Sequence, residues 1–222
     1  KKLLFGLDLF CVDVQNYSHL NIGLVTNDVA TTSNGIKSRL ALIKAGFNIT
    51  KLFSPEHGIA ATAADGTHVS SSNDSITQLP IVSLYSDKLE PTADDLKNID
   101  AIVFDIPDVG CGFYTYLWTM THFMEACAKH NKPFILLDRP NPISGNLDLV
   151  EGPMLDNKTA SFLGRWNIPI RHSCTLGELA VYFAHKNIPN FDLQIIPIKN
   201  WNRAPYADTN WSFKPTSPAI KD

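Results

Sequence analysis

No stretch of this chain approaches the roughly 18 consecutive apolar residues that a membrane-spanning helix requires, so no membrane span is expected. Net charge is scarce as well. At −3, with Lys and Arg scattered along its 222 residues, the chain offers no basic field for nucleic acid and no polybasic patch for a membrane surface. Cysteine is sparse and unpatterned: Cys11, Cys111, Cys127 and Cys174 form neither a CxxC pair nor a metal-ligand spacing, and read as buried thiols. Internal repeats and low-complexity tracts are missing too. The motif inventory adds further exclusions. Gly110-Cys111-Gly112 has no third glycine to complete a dinucleotide fingerprint, and GxxxxGK[ST], GxSxG and HExxH do not occur, so no nucleotide, nicotinamide, flavin or metal cofactor is expected.

What is present is a hydrophobic fraction of 44%, enough to exclude disorder and to build one good-sized core. The N-terminal Lys1-Lys2-Leu3-Leu4-Phe5 before Cys11 imitates a lipoprotein leader. Asp8 interrupts the apolar run, however, and Phe10 is too large to precede a lipidated Cys, so the segment reads as the first folded stretch. With no initiator Met, this end says nothing about compartment.

Short Val/Ile/Phe-rich runs alternate with helical stretches, the pattern of an α/β, Rossmann-like doubly wound and mainly parallel sheet with helices on both faces. Strands are expected at 21–26, 49–53, 81–84, 101–105, 134–137 and 193–197. Helices are expected at about 35–45, with Ile36, Leu40 and Ile43 on one face and Gly46 as the stop; after Pro91, with Thr92 and Asp95 as a capping box; at 115–130; and from Thr175, boxed with Glu178, to about Lys186. The Ser/Asn-rich loop 67–75 and the excursion 144–170 stand outside this alternation. The organisation expected from this pattern is one good-sized domain, or one domain with an appendage.

The unusual polar residues gather where strands end. Thr26-Asn27 follows the first strand, Ser54-Pro55-Glu56-His57-Gly58 the second, Asp105 to Gly110 the fourth, and Asp138-Arg139-Pro140-Asn141-Pro142 the fifth. Carboxyl ends of parallel strands form the ligand-binding edge of open α/β sheets, although loops are polar in any case. Glu56, between Pro55 and His57, is the candidate for proton transfer; the bland reading makes it a helix cap and His57 a backbone partner. Asp105 and Asp108 either converge on a ligand or, for Asp108, close an Asx-turn with Gly110. Arg139 suits a substrate carboxylate, or else pairs with Asp138 or Asp105. His172 precedes a helix start and reads equally as a ligand contact or as a structural histidine. Carboxylates beside Phe113, Tyr114, Tyr116 and Trp118 fit sugar chemistry, in which acids move protons and rings stack on pyranoses.

At these residues the chain resembles the NamZ-like exo-β-N-acetylmuramidases (glycoside hydrolase family 171), which remove N-acetylmuramic acid from the non-reducing end of peptidoglycan fragments. The resemblance runs in order through Gly23 to Asn27, Leu52 to Gly58, Leu79 to Tyr85, Asp105 to Gly110, Phe113 to Tyr116, Leu137 to Pro142, Glu151-Gly152-Pro153, and Ile168 to His172 with Thr175 to Ala180. It implies a Rossmann-like N-terminal catalytic domain over 1–200, with 201–222 as the junction toward a C-terminal domain beyond this chain, and an active site in the cleft between the two domains. It further implies Glu56 as the catalytic carboxylate, with His57, Asp105 and Asp108 tuning it. Asn27, Tyr114, Tyr116, Arg139, Asn141, Glu151 and His172 are then expected on a sugar or muropeptide, and the location is expected to be periplasmic or secreted.

The chain departs from the family pattern at several places. Ile59-Ala60-Ala61 replaces an aromatic, an Arg and a Gly; Asp65-Gly66-Thr67 replaces Ala-Gly-Glu; Pro107 replaces Gln; Gly112 replaces Arg; and His172-Ser173-Cys174-Thr175 stands for His-Gly-Met-Thr. An Arg contact to the lactyl carboxylate contributes on the order of 1.5 to 3 kcal/mol, so these losses leave a second expectation open, an inactive paralogue that binds cell-wall sugars. A generic nucleotide-handling α/β domain is the third.

Overall fold

The computed structural model describes residues 1–63, 72–85, 88–203 and 215–216. The elements in chain order are α1 (Gly6–Phe10), β1 (Ile22–Thr26), α2 (Ser38–Ala45), β2 (Ile49–Ser54), β3 (Ser72–Asn73), β4 (Pro80–Ser83), β5 (Ala101–Asp105), α3 (Thr115–Lys129), β6 (Phe134–Leu137), β7 (Glu151–Met154), β8 (Pro169–Arg171), α4 (Leu176–Asn187) and β9 (Leu193–Ile196). They form a seven-stranded sheet, β3-β4-β2-β1-β5-β6-β9, and a separate β7-β8 pair. Every neighbouring pair in the large sheet is parallel except β3 with β4.

Numbered among themselves, the parallel strands lie in the order 3-2-1-4-5-6 of the dinucleotide-binding folds. The chain winds outward from β1 in one direction and then, from β5, in the other. The crevice at this reversal opens above the carboxyl ends of β1 and β5, directly over Thr26 and Asp105, which are partners in register.

The central strands are buried on both faces, which is why β1, β5 and β6 are continuous apolar runs rather than alternating ones. Val25, Phe53, Phe104 and Phe134 pack under α3 and α4. Leu24, Leu52, Val103 and Ile135 face the other way, against Leu7 and Phe10 of α1 and Leu42 of α2. The N-terminal segment is thus a folded helix that closes one face of the sheet. Gly6 fits because a Cβ there would come within 2.4 to 2.8 Å of backbone atoms of Ile196, Leu137 and Asp138.

Three expectations are corrected. Helix α2 begins at Ser38, because Gly35 at φ 86 leaves the helical region. Its apolar stripe of Ile36, Leu40 and Ile43 faces solvent, while Arg39, 1% exposed, faces inward. Arg39 pairs with Asp28 at 2.6 Å and Asp74 at 2.9 Å, so this helix docks through a buried ion network. The segment after Pro91 makes the Thr92–Asp95 hydrogen bonds, but it remains a turn. Lys51 takes the Asp95 carbonyl, and Asn98 at φ 60 ends the coil. The short strand β3 was missed, since two exposed polar residues carry no period.

The excursion 144–170 does leave the sheet, as the β7-β8 hairpin with turns of 3₁₀ helix at Leu147–Leu149 and Asn157–Thr159. Of the loop 67–75, residues 67–71 lie outside the described residues, Thr67 among them. So does most of the expected junction 201–222.

Candidate active site

Glu56 follows β2 in a turn whose next residue, His57, sits at φ 69, with Gly58 at φ 73. Left-handed backbone at a non-glycine costs of order 1 kcal/mol or more and gathers at functional sites. The Glu56 side chain is 8% exposed, and its Oε2 accepts the Thr115 hydroxyl at 2.7 Å. Thr115 opens α3, so the carboxylate meets the positive end of that helix. His57 Nδ1 lies 2.8 Å from the Ala63 carbonyl, to which it donates. The His57 ring stands edge-on to Tyr116 with centroids 6.3 Å apart.

Tyr116 is corrected as a sugar platform. Its ring has no exposure because it lies on the inward side of the first turn of α3. Its hydroxyl donates to the Thr216 carbonyl at 2.9 Å and lies 3.3 Å from the Glu56 carbonyl, and burial pushes the phenol far up. Trp118 is core for the same reason and donates to the Gly112 carbonyl. The Tyr114 hydroxyl meets Thr216 Oγ1 at 2.9 Å, so the described piece of the tail lies over both tyrosines. Phe113, 57% exposed, is the member of that aromatic run with an open face.

Asp105 and Arg139 come together in a two-pronged ion pair: Nε to Oδ1 at 2.6 Å and Nη2 to Oδ2 at 2.9 Å. The guanidinium stands over Phe5, 5.0 Å from the ring centre. The carboxylate is fully buried and Arg139 is 7% exposed, so both charges are matched internally. Asn141 spends its carboxamide on the Cys174 carbonyl and the Ile143 amide. It also fills the space beside Gly110, where a Cβ would lie 2.3 Å from Asn141 Oδ1. Asp138 accepts from Thr175, Gly177 and Arg139 and pins the start of α4 to the end of β6, although burial pushes its carboxyl up to about 6. Glu151 lies on β7 with its side chain 77% exposed, 4.0 Å from Arg171, in the hairpin rather than at the sheet edge.

Asp108 and His172 differ from these. Asp108 Oδ2 accepts the Gly110 amide at 2.9 Å, the Asx-turn foreseen as one alternative. Burial nonetheless pushes the carboxyl up to about 6, against the backbone amides of Gly110 and Val109. His172 Nδ1 accepts from the Cys174 amide at 3.2 Å, and burial pushes the ring down to about 4. The imidazole is therefore neutral near pH 7, with its one proton on Nε2. That nitrogen lies 3.8 Å from Asp108 Oδ2.

Several buried polar atoms at this edge and on the adjoining β7-β8 hairpin and the loop after it lack a hydrogen-bond partner among the described residues: Ser54 Oγ, Ser83 Oγ, Asp108 Oδ1, Arg171 Nε, His172 Nε2 and Ser173 Oγ. Asn27 Oδ1 is spent on the Val29 and Ala30 amides. Native interiors leave few such groups, and their gathering near the carboxyl edge makes that edge the candidate place for a polar ligand. Sequence reasoning missed Thr115 and Arg171. Thr115 was hidden inside a helix start, and Arg171 directly before His172 was the available signal for the second. No group of three or more His, Cys, Asp or Glu placed to hold a metal occurs among the described residues.

The family model of the exo-β-N-acetylmuramidase NamZ N-terminal region matches residues 22–222. The chain belongs to the NamZ N-terminal family. It is 39% identical over 221 residues to the peptidoglycan β-N-acetylmuramidase NamZ of Bacillus subtilis (strain 168), covering 98% of this chain and 53% of that protein. Two crystal structures of DUF1343 family proteins from Bacteroides fragilis NCTC 9343 superpose on it. One has a TM-score of 0.87 at 35% identity, over 97% of this chain and 55% of that one. The other has 0.78 at 31%, over 93% and 54%. The chain thus spans about half the length of the relatives it matches.

Departures from the NamZ pattern acquire a structural setting. Ala61 stands at φ 55, the backbone for which the family's glycine is suited. At Gly112 a Cβ would lie 3.1 Å from the Pro169 carbonyl, so the hairpin closes onto the place where the NamZ pattern carries an Arg.

Proposed function

We propose that this chain supplies the acid-bearing half of a peptidoglycan exo-β-N-acetylmuramidase, with Glu56 as the catalytic carboxylate. The observation that carries this reading is the setting of Glu56. It is a carboxyl group at the ligand edge of the sheet, nearly buried, with Oε2 held by the Thr115 hydroxyl at 2.7 Å. Thr115 fixes one oxygen and leaves Oε1 to face the glycosidic bond, where a protonated Glu56 donates to the departing oxygen. Removing the leaving group's developing charge in this way is the part of glycoside hydrolysis that needs a positioned acid.

Within this reading the lactyl carboxylate of N-acetylmuramic acid goes to Arg171, not Arg139. Arg139 is matched by Asp105, whereas Arg171 has an unpartnered Nε, one bond to the Ile143 carbonyl and a long approach to Glu151. The exposed Phe113 ring is the candidate platform for a pyranose face. Such a substrate places the protein where peptidoglycan lies, periplasmic or secreted.

The test is release of a chromogenic leaving group from an aryl β-N-acetylmuramide by the full-length protein and by Glu56→Gln. A fall of roughly 10³-fold is expected for removal of a general acid. Equal rates in the two proteins remove Glu56 from the mechanism. Tight muropeptide binding with no turnover by the wild type would instead establish the inactive, sugar-binding alternative that the losses at Ala60 and Gly112 raise.

A further inference from the structure

Among the described residues His172 Nε2 and Asp108 Oδ1 have no hydrogen-bond partner, and the two side chains are buried and adjacent. His172 is 3% and Asp108 8% exposed; Nε2 lies 3.8 Å from Oδ2, too far for a hydrogen bond, and Oδ2 already accepts the Gly110 amide while Oδ1 of the same carboxylate is left over. A buried donor and acceptor left unmatched are costly, so a ligand group is called for, and the spacing says which kind. One oxygen lying about 2.8 Å from each atom spans that gap, accepting from Nε2–H and donating to the carboxylate. A secondary amide presents its N–H and C=O in opposite directions and needs partners farther apart. A carboxylate or phosphate is repelled by Asp108. The group that fits is a hydroxyl.

We propose that Asp108 and His172 read the free 4-hydroxyl of the terminal N-acetylmuramic acid and thereby restrict the enzyme to chain ends. In a (1→4)-linked glycan that oxygen is a hydroxyl only at the non-reducing terminus; in every internal residue it is an ether. An ether accepts from His172 but has no proton for Asp108, so an internal residue would leave Asp108 Oδ1 buried and unmatched. The 6-hydroxyl offers the same chemistry at terminus and interior alike and cannot sense an end. Asp108 follows β5 at the reversal of strand order, and His172 joins β8 to α4, so two separate loops converge on the terminal oxygen.

The proposal rests on the glycosidase reading above. Full-length protein is assayed on an aryl β-N-acetylmuramide and on its 4-deoxy, 4-O-methyl and 6-deoxy analogues. The wild type is expected to lose roughly 10³-fold in kcat/KM on the 4-deoxy and 4-O-methyl sugars and only about threefold on the 6-deoxy sugar, since a site built round a hydroxyl rejects analogues that lack it. In Asp108→Asn, an amide N–H replaces an acceptor and suits an ether. The gap between parent and 4-O-methyl sugar then contracts to about tenfold or less, as does the 4-deoxy gap in His172→Phe. Wild-type indifference to the 4-position, a penalty that falls on the 6-deoxy sugar instead, or full gaps retained in both variants would overturn the proposal. Calorimetric affinities of the Glu56→Gln protein for N-acetylmuramic acid and its 4-deoxy form separate the two readings. Absence of wild-type hydrolysis sinks the functional one, and equal affinities sink the subsite.

Discussion

Two parts of the same sheet edge carry the same residue types and are in opposite states. Above β5 and β6, Asp105, Arg139, Asp138 and Asn141 are matched by one another, by the backbone and by the Thr175 hydroxyl. Around the ends of β2 and β4, in the turn after β5 and just past β8 of the neighbouring hairpin, Ser54, Ser83, Asp108 and His172 keep buried atoms without partners among the described residues. The saturated part is scaffold, since a buried charge pair already joined by two hydrogen bonds has little left to offer a substrate. The unsaturated part is where a ligand gains most, because it supplies bonds that folding left unmade. Chemistry-bearing side chains are therefore assigned by what remains unspent, not by what they are.

Substitutions that separate the two parts sharpen this contrast. The largest expected effect on activity is at Glu56→Gln, which removes turnover while melting temperature stays nearly unchanged. Arg139→Met is its counterpart on the saturated side. It strands the Asp105 carboxylate in the interior, and urea unfolding should show a loss of about 3 to 5 kcal/mol. If Arg139→Met instead spared stability and raised KM, the division would fail. Arg171→Gln should raise KM for N-acetylmuramides by roughly ten- to a hundredfold, as expected for one charged contact of 1.5 to 3 kcal/mol. It should leave the N-acetylglucosaminide, which has no lactyl group, unaffected. Thr115→Val should lower kcat by about tenfold with KM unchanged, and Thr115→Ser should restore it; a change in KM alone would make Thr115 a binding residue.

A separate effect, on stability alone, is a pH dependence. His172 is held at about 4 in the fold against an ordinary 6.5, so between those values the unfolded chain binds the extra proton. The ring therefore makes stability rise with pH by up to about 1.4 kcal/mol per unit. Asp108 and Asp138, pushed up to about 6 from 3.8, act in the opposite sense over much of the same window. His172→Phe removes the rising contribution, so its stability relative to wild type should decline between pH 4 and 6. Parallel profiles would show that His172 is not buried neutral.

Much of the fold was legible because it is written in short-range pattern. Uniform apolar runs announced the doubly buried strands. The Thr175–Glu178 box forms as read, and Gly46 stops α2 at φ 103. The failure at α2 is instructive, since its apolar stripe faces solvent while Arg39 is buried between Asp28 and Asp74. Neither aspartate is near Arg39 in a helical period, so no local pattern announces the pairing. The clustering of polar loops at one edge was legible through the strand order; the roles of Arg139, Asn141 and Tyr116 were not.

By itself, then, the sequence determined the strand–helix alternation, the edge on which the polar loops gather, Glu56 as the acid to examine, and kinship to a family. Those depend on local periodicity and on residues adjacent in the chain. The tertiary structure decided which polar atoms are already matched. Hydrogen bonds such as Thr115 to Glu56 and Arg139 to Asp105 join residues 59 and 34 positions apart. Whether a side chain is spent on its neighbours or kept for a ligand is a property of such long-range contacts.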